Sequence, residues 1–159
     1  MPPFNLVENA KPVSAILPQN ITGAAVDGDL VSMANCERCF IVIHSGAWAG
    51  GTSAVTVTQE QSASGSSNTA VAFTKRVEYT HATDDIGLEV AVTSNTFNLS
   101  AANTIQVIEI RPEDLTDGYT HIRVRTATPG SNNDYVSAMY YLTGIKYAGA
   151  ADNIPTAIA

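Results

Sequence analysis

The feature that most limits this chain is a period-two alternation of apolar and polar side chains along almost its whole length. In Ala54-Val55-Thr56-Val57-Thr58-Gln59 the valines share one face and the threonines take the other. In His121-Ile122-Arg123-Val124-Arg125-Thr126 the apolar pair faces one way and the arginines the other. Successive side chains of a strand point to opposite faces, so this alternation is the signature of a half-buried antiparallel sheet. The same reading predicts strands at 13–17, 29–33, 39–44, 70–79, 88–92, 104–110 and 135–147, with a short one at 96–99.

Turn residues punctuate these runs about every ten positions, as expected for an all-β fold. Asp27-Gly28-Asp29, Gly50-Gly51, Ser64-Gly65-Ser66, Asp117-Gly118 and Pro129-Gly130 all tolerate tight or left-handed backbone. Helical turns are conceivable only at 10–17 and 111–115, and Pro12 and Pro112 keep both short. The fold class expected is all-β: an antiparallel β-sandwich, jelly-roll-like, with extended N- and C-terminal arms. The sandwich would span 13–147, with the arms at 1–12 and 148–159. Residues 1–12 carry Pro2, Pro3 and Pro12, and 148–159 have small side chains without alternation.

Composition narrows the function. The 159 residues suit one domain with a core of its own. Fifteen acidic against eight basic residues give a net charge of −7, which opposes a nucleic-acid or anionic-membrane surface. Only 14% of the residues are charged, and Thr, Ser and Asn supply most of the remaining polarity. No apolar run approaches the roughly 20 residues of a membrane-spanning helix. The first residues lack the basic and apolar regions of a signal peptide, so folding in a reducing compartment is expected.

Few motifs carry chemistry. Cys36-Glu37-Arg38-Cys39 has the spacing of half a zinc site or of a redox pair. A zinc site needs further ligands from His44, His81 or His121, none of which forms a second paired-ligand knuckle. A redox pair needs a helix after the motif, where a strand is expected instead. Two structural thiols are the simpler reading. His44 and Ser45 are adjacent in a strand and point oppositely, so they make no nucleophile–base pair. Asp27, Asp29, Asp84 and Asp85 offer oxygens to calcium but lack the spacing of a calcium loop, and Asp-Gly reads more simply as a hairpin turn. No motif calls for a cofactor. Trp48, in the small-residue segment 46–51 read as a loop, is either a lid on the core or an anchor for a sugar or a protein. Tyr135, Tyr140, Tyr141 and Tyr147 cover both faces of the last strand, which suits a central position or one packed on a neighbouring subunit.

Phe4-Asn5-Leu6-Val7-Glu8-Asn9-Ala10, Ile43-His44-Ser45-Gly46-Ala47-Trp48-Ala49-Gly50-Gly51-Thr52, Ser94-Asn95-Thr96-Phe97-Asn98-Leu99 and Pro129-Gly130-Ser131-Asn132-Asn133-Asp134-Tyr135-Val136-Ser137 together resemble small β-rich virion proteins of tailed bacteriophages. The resemblance implies a capsid decoration or cement protein on the outside of the shell, made in the host bacterial cytoplasm. It further implies the major capsid protein as partner and a homotrimer as the assembly, and it brings no catalytic residue. The candidate partner-binding residues are the apolar side chains of the arms, Phe4, Leu6, Ile154 and Ile158, together with Trp48. A tail or baseplate component and a carbohydrate-binding module built on Trp48 are the alternatives, with a hydrolase of dispersed site last.

Overall fold

Strands that are apolar on one side gain most by closing two sheets over a shared core. The computed structural model describes residues 9–145 apart from 66, 67, 84 and 93. In chain order the strands are β1 (Ala10–Asn20), β2 (Val26–Asp27), β3 (Val31–Ser32), β4 (Arg38–Trp48), β5 (Ser53–Glu60), β6 (Thr69–Ala70) and β7 (Phe73–Thr80). Then follow β8 (Asp85–Ile86), β9 (Val90–Val92), β10 (Thr96–Leu99), β11 (Thr104–Ile110), β12 (His121–Thr126) and β13 (Asp134–Thr143).

The larger sheet runs β1-β13-β4-β11-β7-β8, with β9 also on β7. The smaller runs β10-β5-β12-β2, with β3 on β12 and β6 on β5. All pairings are antiparallel. From β4 to β13 the chain passes back and forth between the sheets, with β4, β7, β11 and β13 in the larger and β5, β10 and β12 in the smaller, which is the jelly-roll-like wrapping expected of the sandwich. Ile41, Ile43, Ile108 and Ile110 of the larger sheet meet Val55, Val57, Ile122 and Val124 of the smaller, all fully buried.

Several expectations are corrected. Residues 10–17 form no helical turn: they lie in β1, an edge strand, where Pro12 and Pro18 cost no ladder bond. The other candidate turn is a 3-10 turn at Pro112–Asp114. The segment 46–51 is not wholly a loop, because β4 continues through Gly46 and Ala47 to Trp48, paired with Asp134. β13 is central as expected, between β1 and β4. Its inner face is buried, yet Tyr135 and Met139 on its outer face stay exposed. Tyr147 lies outside the described residues.

Asp27-Gly28-Asp29 is not a hairpin turn either. It crosses from the smaller sheet to the larger: Gly28 N donates to Val124 O at 2.8 Å, and Asp29 N donates to Ala15 O at 2.9 Å. A Cβ on Gly28 would lie 2.7 Å from Val124 O and 3.1 Å from Ala15 O, so a glycine is required by close approach. The crossing interrupts the strand beside β12, since β2 pairs with Arg125 and Thr126 while β3 pairs with His121 and Ile122. Val124 therefore faces the gap. Tyr140 of β13 fills it from the opposite sheet: its hydroxyl accepts from Val124 N at 2.9 Å and donates to Asp29 O at 3.0 Å. Burial holds this phenol protonated, well above the ordinary tyrosine range.

Two outcomes follow from this junction. Tyr140→Phe strands a buried donor and a buried acceptor, so the denaturant midpoint should fall by the equivalent of about 1–3 kcal/mol with the strand content unchanged. Gly28→Ala should cost about 1–3 kcal/mol by overpacking against two carbonyls, read in the same titration.

Candidate interaction surface

The ends of the described chain come together because β1 and β13 are partners. Ala10 pairs with Thr143, so the chain enters and leaves the sandwich at one corner. β4 begins at the same corner, with Arg38 opposite Thr143 and Glu37 N donating to Thr143 O at 2.9 Å. An open cleft of about 390 Å³ lies there, lined by Cys36, Glu37, Arg38, Arg111, Pro112 and Glu113. Its charges are interlocked. Glu109 holds Arg38 at 3.4 Å and Arg111 at 3.1 Å, and Arg111 also reaches Glu113 at 3.6 Å. Arg111 N donates to Asp114 Oδ2 at 2.8 Å, which starts the 3-10 turn that forms one wall.

Trp48 lies at the far end of the 11-residue β4, so about 30 Å separates it from the corner where Ala10 meets Thr143. It is half-buried and packs on the core, and its indole Nε1 donates to Gly51 O at 3.2 Å. The lid reading is the one this geometry fits. Gly51 at φ +82° closes the turn, with the Pro129 carbonyl 2.7 Å from where a Cβ would stand. Asp134 pins the same turn: its buried Oδ1 accepts from Ala49 N and, at 3.3 Å, from Gly50 N. Phe4, Leu6, Ile154 and Ile158 lie outside the described residues.

Parity also sorts the two outer faces. On the smaller sheet the outward side chains are polar and paired. Arg123 reaches the fully buried Glu60 at 2.8 Å, and Arg125 reaches Asp27 at 3.1 Å. His121, half-buried beside them, is held below the ordinary histidine range by that burial. Asp27 thus serves an ion pair, Asp85 lies exposed in β8, and Asp84 is outside the described residues. On the larger sheet many outward side chains are apolar, with Ser14, His44, Ser137 and Glu109 interspersed among them. One row runs Val77, Val107, Val42 and Met139 across β7, β11, β4 and β13. The next row runs Ile86, Tyr79, Ile105 and then His44. Strands were expected at 39–44 and 104–110; that β4 carries apolar side chains on both faces was legible in the unbroken run Phe40-Ile41-Val42-Ile43.

The thiols and hydroxyls are occupied in packing. Cys39 sits in β4 facing the core and Cys36 in the loop before it, both buried and neither in a disulfide. Burial, and secondarily Cys36, raises the Cys39 thiol well above its ordinary range, opposite to what a reactive thiolate needs. Cys36 Sγ lies 3.6 Å from Met33 O and 3.9 Å from Met33 Sδ. Among the described residues no three His, Cys, Asp or Glu side chains gather as a metal site. Ser45 is fully buried, its hydroxyl 2.8 Å from both Ala101 O and Thr104 Oγ1, while His44 points to the exposed outer face. A thiol-selective reagent should therefore label neither cysteine in the native protein and both in denaturant; rapid native labelling would contradict this placement.

No protein-family model matches the chain, and no curated protein matches it. Among solved structures it is similar to a chain described as SPBc2 prophage-derived protein YomS, with 8% sequence identity and a TM-score of 0.43. The match covers 84% of this chain and 93% of that one. A likeness that slight carries no argument about function.

Proposed function

We propose that this chain is a structural protein of a bacteriophage virion, of the decoration or cement type. It would bind the major capsid protein lattice from outside and stabilise it without making or breaking a bond. The observation that carries the reading is the pairing of Ala10 with Thr143, which roots both ends of the chain at one corner. Two segments joined to the sandwich at one corner can contact adjacent points of a lattice while the sandwich acts as the base between them. The cleft beside that corner offers charges of both signs for registering a partner.

Other features support the reading. A net charge of −7 opposes non-specific aggregation of a protein needed in many copies. The resemblance of several segments to phage virion proteins points the same way. Ser45, which follows His44 in the chain, has its hydroxyl engaged with Ala101 and Thr104 in packing.

Mass spectrometry of purified particles of the encoding phage should find the chain; its absence would end the proposal. Deleting residues 1–8, which precede β1, should leave the melting temperature within a few degrees of the full chain while weakening capsid binding by about tenfold or more. Unchanged capsid affinity would remove the N-terminal segment from the clamp.

A further inference from the structure

The outer face of the larger sheet has no partner within the described chain. Val77, Val107, Val42 and Met139 form its central row, flanked by Ile105 and Tyr141. Met139 remains 38% exposed and Ile105 37%, in a region where water gains nothing from contact. Ser14, His44 and Ser137 interrupt the face, and Glu109 is neutralised by Arg38 and Arg111 at its rim.

We propose that this face seats against a second copy of the same chain. Charge limits where a second copy can sit. Two molecules of net charge −7 repel wherever their acidic surfaces meet, and they approach at least cost where both present an apolar, internally neutralised face. The outer face of the smaller sheet, with Arg123, Glu60, Arg125 and Asp27 already paired, has no comparable apolar area. Size agrees. Five strands about 4.8 Å apart and about 30 Å long present about 700 Å², close to the roughly 800 Å² each partner contributes to a stable interface. Sheets packed face to face bury such rows as the two inner faces of a sandwich do. The inference stands on the face alone and does not need the virion reading.

Sedimentation velocity on the isolated full chain tests it without any capsid present. At micromolar concentration the wild type should have a mass that is a whole multiple of 16.7 kDa, two or more. Met139→Glu should weaken association about tenfold or more with an unchanged circular dichroism spectrum, and Met139→Leu should not. Ile105→Glu, at another exposed position of the face, should repeat the loss if the first variant folds poorly. A wild type of single-chain mass would overturn the proposal and leave the face to some other occupant. So would association undiminished in either glutamate variant.

Discussion

The tie between Tyr140 and the backbone of Val124 and Asp29 is the constraint on which the rest of this sandwich depends. Apolar burial brings two sheets together but is non-directional and does not choose how they align. A phenol that must satisfy one N–H and one carbonyl in a dry interior does choose, because any slip leaves two polar groups unpaired. The tie also makes the break between β2 and β3 tolerable, since the edge of β12 would otherwise expose Val124 to an apolar interior. Gly28 and Asp29 bond to Val124 and Ala15 in the same place, so β1, β12 and β13 are fixed together. With β1 and β13 fixed, both ends of the described chain leave from one corner.

The sequence was legible where structure is local. Alternation in Val55–Val57 and Ile122–Val124 located strands and assigned their inner faces, and the glycines at 51, 65, 118 and 130 marked turns of left-handed backbone. It was less legible where pairing partners lie far apart. β4 runs on through Gly46 and Ala47, residues that carry little alternation, because β13 pairs on either side of them, at Ser45 and Trp48, from about ninety positions away, and Asn103 N donates to Gly46 O. Asp27-Gly28-Asp29 has the composition of a hairpin, yet its glycine is selected by close approach of two carbonyls, a requirement of the assembled sandwich. Tyr140 was legible as one of the tyrosines covering both faces of the last strand, but the acceptor and donor it serves come from two other segments.

The candidate surface divides the same way. Trp48 was visible as a lone large side chain among small ones, and the structure gives it a lid's contacts. That its end lies about 30 Å from the corner where the chain enters and leaves follows only from the length of β4. The cleft at that corner joins Arg38 with Arg111 through Glu109, residues scattered in sequence and brought together by the β4–β11 register. The sandwich thus presents three distinct exteriors: a polar, ion-paired sheet face, an apolar sheet face, and an end carrying both signs of charge.

The central claim is directional: the molecule works through the corner where Ala10 meets Thr143. An electron-microscopy reconstruction of the virion tests it most directly. The account predicts sandwich density on the outer shell with that corner against the capsid protein and the Trp48 end directed away. Density seated on the shell by the Trp48 end, or no such density on the capsid, would contradict it.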